Sequence, residues 1–351
     1  MSNQPSKDVA GDLKSRTALP VIVAPMFLVS GKDLVLASCK EGLVGSFPAG
    51  QLWTGADFEK RLVEINDGID QLKAANPAAK IGPYAVNITF KSTNKRLDGD
   101  IDLCVKHKVP IVLASHEATQ AQIDKIHAYG GIVLHDAATI EQADKAVAAG
   151  ADGIIAIGAG AGGQAGTMNP IALIGSIREF FDGPIILAGC LNTGHDILAA
   201  QAMGADMVVM GTRFIATAEA TAEPEYKQMI VDSRAADVIY TSAISGAPGN
   251  FLRQSLENCG YDVEDLKKKG ASAAKIPPPP GQESRAWKYA WSAGQGVSGI
   301  HDIPTVAELS DRLKTEYAAA KTDLAEKLNL TPPPKAPAPA VKRAPGMKGP
   351  G

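Results

Sequence analysis

"AVAAGADGIIAI" (residues 146–157) and "AAQAMGADMVVM" (residues 199–210) are one device written twice. Each runs from an alanine-rich segment through a glycine and an Ala-Asp pair into a short, wholly apolar run. The glycine suits a helix C-terminus and the apolar run suits a strand covered on both faces, so each copy reads as helix followed by buried parallel strand. A chain that repeats this device is built of βα units.

Working outward, strand candidates are "PVIVAPM" (20–26), "GLVGSF" (42–47), "YAVNIT" (84–89), "VPIVLAS" (109–115), "GIVLHD" (131–136), "DGIIAI" (152–157), "PIILAG" (184–189) and "DMVVMG" (206–211). Between them, segments such as 55–75, 118–129, 139–149, 170–181 and 194–203 carry Ala, Ile and Leu at helical spacing. Eight strands close a ring, so the expected fold is α/β, a (β/α)8 TIM barrel over residues 18–220. An open doubly wound sheet is the alternative. Over 221–330 the alternation stops, and an appended, mostly helical lid interrupted by "KIPPPPGQE" (275–283) is expected to pack on the barrel. Residues 1–17 are expected to form a flexible N-terminus, and the Pro-rich tail 331–351 to be disordered.

With 351 residues, 45% of them hydrophobic and 21% charged, the chain can bury one large core. A net charge of −3 argues against nucleic acid or an anionic membrane as partner and favours a small molecule. Cys39, Cys104, Cys190 and Cys259 have no metal-ligand spacing, so they read as reduced thiols of a cytoplasmic protein without a metal. The N-terminal residues show no signal-peptide pattern and no run has the length of a membrane span. Oligomeric state is not legible; a homodimer is compatible with the chain.

A TIM barrel keeps its chemistry where strands end and βα loops begin. That selects Pro25 and Met26, Asn87, His116, His135 and Asp136, the loop "GAGAGGQAGTMNP" (158–170), Gly189 and Cys190, and Gly211 and Thr212. The loops after the seventh and eighth strands are the usual phosphate site of this fold. There Gly189, Gly194 and Gly211 would let backbone N–H groups approach an anion, Thr212 adds a hydroxyl, and a helix beginning near Thr193 points its positive end inward. Gly158, Gly160, Gly162 and Gly163 would leave the face of a flat ring free of Cβ atoms, and Asn87 would meet the ring edge. Phosphate together with a flat ring points to flavin mononucleotide, FMN.

Six blocks, among them "APMFLVSGKDLVLASCKEGLVGSFPA" (24–49), "GADGIIAIGAGAGGQAG" (150–166), "SGAPGNFLRQSL" (245–256) and "WSAGQGV" (291–297), resemble the nitronate monooxygenase family, formerly the 2-nitropropane dioxygenases. The resemblance runs over about residues 20 to 320, and it implies an FMN-dependent TIM barrel that oxidises alkyl nitronates with dioxygen. It places FMN against Pro25, Met26, Asn87, Asp136, Gly162, Gly163, Gly189, Gly211 and Thr212, with Gly294 and Gln295 returning to the flavin from the C-terminal region. Members of the family commonly carry a catalytic histidine in a GGHxG motif; here that position is Gln164.

An amide accepts no proton at any useful pH, so Gln164 is expected to orient a substrate rather than deprotonate it. A nitronate is already the deprotonated anion, whereas a neutral nitroalkane needs a base. The expected activity is therefore restricted to nitronates, with His116 and His135 as the candidate substitute bases. The alternative is an FMN-dependent NAD(P)H:quinone or enoyl-thioester reductase, since related barrels of the superfamily have those activities. A ligand-binding barrel that has lost catalysis and a phosphosugar enzyme are further alternatives; for the latter the sixth loop lacks a charged catalytic group.

Overall fold

The computed structural model describes residues 8–269, 274–277, 281 and 286–330. Eight parallel strands, here first to eighth, are Val21–Val23, Gly45–Pro48, Tyr84–Thr89, Ile111–Ser115, Ile132–Ala137, Gly153–Ile157, Ile185–Ala188 and Met207–Met210. All eight lie where the apolar runs place them. The eighth pairs with the first through Val21↔Val208, and the bridge Ile22↔Val44 joins the first to the second. The ring is closed, and the open-sheet alternative is set aside.

Alternate residues of the strands separate into two layers, as a pleated backbone requires. Ile22, Ala85, Ile111, Leu113, Leu134, Ile155 and Met207 fill the barrel interior. Val86, Val112, Ala114 and Val133 face outward and pack under the helices. Residues 9–16, expected within a flexible N-terminus, form a helix (Val9–Arg16) instead. Val9 and Leu13 join the interior layer, and the Asp8 carboxylate caps the helix by accepting from the Gly11 N–H at 2.7 Å. Two apolar residues four apart plug the end of the barrel opposite the loops.

The helix Gly55–Ala75 matches its expected bounds because a Thr54/Asp57 capping box starts it and Phe58, Leu62, Ile65 and Ile69 form its buried stripe. The last helix, Val306–Lys327, packs on Gly194–Ala202 and on Lys32–Lys40. It thereby takes the eighth place in the helical ring, so the barrel is completed by residues well beyond 220. The described residues between 216 and 305 form an excursion between the eighth strand and its helix. That excursion holds the helix Pro224–Asp232 and two antiparallel strands, Val238–Thr241 and Gly249–Leu252, around a core with Ile239, Phe251 and Leu256. Two further helices, Arg253–Asn258 and Val263–Lys269, follow the second of these strands. The tail 331–351 lies outside the described residues. Among the described residues no helix is long and apolar enough to cross a membrane.

Candidate active site

A cavity of ≈ 910 Å³ opens at the C-terminal ends of the strands. Its floor is the last interior layer: Leu113, Ile155, Ile157, Ala188 and Val209, with Asn87 and Asp136 as polar members. Ile244, Ile276 and Trp287 of the excursion cover it, and Lys275 stands at its mouth. Pro25, Met26, Asn87, His116, Asp136, Gly162, Gly163, Gln164, Gly189, Gly211, Thr212 and Gly294 all border this one space. His135 and Gln295 do not.

The reason His135 misses the cavity is the strand pleat. Leu134 and Asp136 point into the barrel, so the residue between them points out. The His135 ring is buried, with Nδ1 2.8 Å from the Asp136 carbonyl. Burial pulls its pKa down despite that carbonyl and the His116 carbonyl, both of which favour the charged form. It holds the loop after the fifth strand and does not reach the cavity. His116 remains. It adopts φ +67, borders the cavity, and is held below its ordinary pKa first by burial and then by the Lys91 and His135 charges, which leaves a neutral imidazole able to accept a proton. His107 and His127 end on Glu59 and Asp152 at the outer helices.

Asn87 is half committed: its amide donates to the Leu113 carbonyl at 3.0 Å, so its carbonyl oxygen is what the cavity meets. Asp136 has no side-chain partner among the described residues. Burial alone pushes its carboxyl up to about 7. Its fractional accessibility is intermediate only because the cavity is beside it. An unpartnered carboxyl on the floor of a cavity is a group waiting for a ligand's donor or holding a proton.

The glycine-rich loop is explained mostly by protein, and only in part by a ligand. A Cβ on Gly162 would lie 2.9 Å from the Gly294 nitrogen, and one on Gly294 would lie 2.8 Å from the Gly160 carbonyl. Gly158 faces Pro170, and Gly160 faces Cys190 and Gln295. These glycines let three loops pack backbone on backbone, which differs from the expectation that all four spare a ring face. Gly163 alone of the four meets open space, with φ +72. Gln295 acts through its main chain, donating to the Gly160 carbonyl at 2.8 Å.

The excursion fastens this loop. Gly163 and Gln164 pair with Gly249 and Asn250, the Asn250 amide donates to the Ala161 carbonyl at 2.7 Å, and the Gly163 N–H donates to the Ser292 hydroxyl at 2.6 Å. Tyr226 donates to the Ser292 carbonyl and stacks on Trp291 with ring centres 4.9 Å apart. Asn250 lies in the stretch 241–255 that the sequence offers as cleft lining, whereas Ser292 and Tyr226 carry no signal of their own as site residues. The result is a Gln164 side chain presented at the cavity without a hydrogen-bond partner among the described residues.

The anion side needs one correction. The N-terminus of Gly194–Ala202 is already filled: Asp196 accepts from the Asn192 and Thr193 N–H groups, and Glu316 accepts from the Gly194 N–H at 2.8 Å. Gly194 is there because a Cβ would lie 2.1 Å from the Tyr317 nitrogen. Gly189, at φ +124, and the turn Gly211–Thr212 stay at the cavity. The Thr212 hydroxyl accepts from the Gly294 N–H at 2.9 Å, which leaves its own proton to donate.

Comparison with known proteins agrees with this geometry. The family model described as nitronate monooxygenase matches residues 12–316. A probable nitronate monooxygenase of Staphylococcus haemolyticus is 27% identical over 268 residues, 69% of this chain and 71% of that protein. A (3aS,4S,5R,7aS)-5-hydroxy-7a-methyl-1-oxo-octahydro-1H-indene-4-carboxyl-CoA dehydrogenase of Rhodococcus jostii is 28% identical over 239 residues, and the match spans 68% of this chain and 64% of that protein. Among solved structures, a nitroalkane oxidase of Streptomyces ansochromogenes has a TM-score of 0.69 at 25% identity, covering 89% of this chain and 99% of its own. FabK of Thermotoga maritima has a TM-score of 0.73 at 24% identity, covering 92% and 99%, and shares the fold.

Proposed function

Since the chain belongs to the nitronate monooxygenase family, whose members are flavin-dependent oxidoreductases, we propose that it oxidises alkyl nitronates with dioxygen using FMN. The cavity fits the group. Its volume of ≈ 910 Å³ lies within the roughly 300–1,000 Å³ of cofactor and ligand sites. The unpartnered Asp136 and the open face beside Gly163 are features that a bound ring system would use. Asn87, Asp136 and Gly163 would meet the ring, and Gly189, Gly211 and the Thr212 hydroxyl would meet the phosphate. Bound there, the flavin supplies the redox chemistry.

This chain's residues supply position and exclusion. The Gln164 amide donates to a nitronate oxygen without competing for its charge, and Lys275 favours entry of an anion at the mouth. Ile244, Ile276 and Trp287 keep bulk water off the reacting face. The observation that carries the reading is Gln164: an amide held free at the cavity where a base would otherwise act. The test is anaerobic mixing of the oxidised, yellow protein with propyl nitronate. Bleaching that reverses in air is expected; a flavin inert to nitronate but bleached by NADH or NADPH would overturn it.

The second reading, an FMN-dependent NAD(P)H:quinone or enoyl-thioester reductase, is favoured by one observation. The cavity continues sideways into a cationic groove larger than a small nitronate requires.

A further inference from the structure

We propose that this groove binds the adenosine-phosphate end of an extended substrate or electron donor, with Trp53 stacking on the base and Lys91 and Lys288 holding the phosphates. The inference rests on the reductase reading of the cavity. The groove has a volume of ≈ 500 Å³, and Phe27, Gly50 and Thr89 border both it and the main cavity. A ligand with its reacting end beside Gln164 and a long tail therefore has a continuous path out.

Trp53 is 83% exposed, the most exposed large apolar side chain described. Its backbone is nevertheless fixed. Gln51 accepts from the Leu28 N–H at 3.1 Å and donates to the Ser30 carbonyl at 2.8 Å. The Arg96 guanidinium donates to the Leu52 carbonyl, and Thr54 begins the capped helix Gly55–Ala75. A large aromatic ring carried into water on an anchored backbone offers stacking area to a ligand.

The charges around it are unbalanced. Asp100, the acidic residue of the groove, is consumed by Arg96 at 2.8 Å. Lys91 and Lys288 have no carboxylate partner among the described residues; Lys288 lies 4.6 Å from the Tyr289 ring centre. Thr93 adds a hydroxyl. An aromatic platform beside two ammonium groups without a carboxylate partner and a hydroxyl is recognition chemistry for a nucleoside phosphate, and a small nitronate would use none of it.

The test uses the purified full chain and three probes: 3′,5′-ADP for a coenzyme A thioester, 2′,5′-ADP for NADPH and ADP for NADH. Tryptophan emission is titrated with each, alongside Trp53→Leu and the double variant Lys91→Gln/Lys288→Gln. Thermal melting of the variants, whose side chains lie at the surface, checks that they fold. Saturable quenching by at least one probe is expected, abolished in W53L and weakened at least tenfold in the lysine variant, with the preferred probe naming the source. Absence of saturable quenching by all three, or quenching unchanged in W53L, would overturn the proposal. Because the readout needs no flavin, a preparation that lacks FMN yet quenches normally would sink the cofactor reading and leave the groove standing.

Discussion

The two sides of the barrel mouth are built on opposite principles. On one side, the loops at 158–166, 189–194 and 292–296 touch through their backbones, and a single methyl on Gly162 or Gly294 would come within 3.0 Å of another chain segment. On the other, the loops at 27–31, 49–53 and 89–96 hold an exposed tryptophan and a lysine over a groove. The first side packs backbone on backbone by steric necessity. On the second side an exposed side chain such as Trp53 can change with little effect on folding.

The largest test of this contrast is restoration of a base on the crowded side. Gln164→His should raise kcat/KM for a neutral nitroalkane by roughly 10²–10⁴, as read by steady-state oxygen consumption. No gain would mean that the imidazole cannot reach the α-proton.

Steric demand comes next. Gly162→Ala and Gly294→Ala should each cost about 3 kcal/mol and release the flavin, whereas Gly163→Ala, which meets open space at φ +72, should cost about 1 kcal/mol and keep it. Denaturant titration of the three variants, together with the visible spectrum, separates these outcomes. Equal losses for all three would erase the distinction between close packing and conformation.

Asp136 gives a pH dependence with a definite sign. Its carboxyl is raised from 3.8 to about 7 by burial, so between those values the folded chain keeps a proton that the unfolded chain releases. Its contribution to stability is therefore greatest at low pH and is lost as pH rises through that window. Asp136→Asn removes the penalty. The flavin-free variant should gain on the order of 2 kcal/mol over wild type at pH 8 and almost nothing at pH 4. A thermal-melting gain independent of pH would show that the carboxyl titrates normally.

The smallest effect belongs to the open side. Trp53→Leu should alter turnover of propyl nitronate by less than about twofold, because a side chain 83% exposed contributes little to folding or to a small substrate. A tenfold loss would place Trp53 in the main cavity and undo the division of the mouth.

Legibility followed the same division. Strands were readable because a parallel strand covered on both faces must be apolar along its length, and Gly55–Ala75 because its capping box and stripe are local signals. The Val9–Arg16 helix was missed because eight residues with two buried side chains have no period long enough to stand out. The sheet joining Gly163–Gln164 to Gly249–Leu252 was missed because a two-residue strand has no pattern of its own. Of the two histidines offered as bases, the direction of the pleat turns His135 out of the cavity and leaves His116.

By itself, the sequence determined the eight strands, the family, and the absence of a base at position 164, since each is a property of consecutive residues and their chemistry. The tertiary structure decided what the glycines are for, which histidine faces the cavity, that Val306–Lys327 completes the ring, and that Trp53 stands beside unpaired lysines. Those are contacts between residues from tens to well over a hundred positions apart, and no local pattern encodes a distance that only the closed barrel creates.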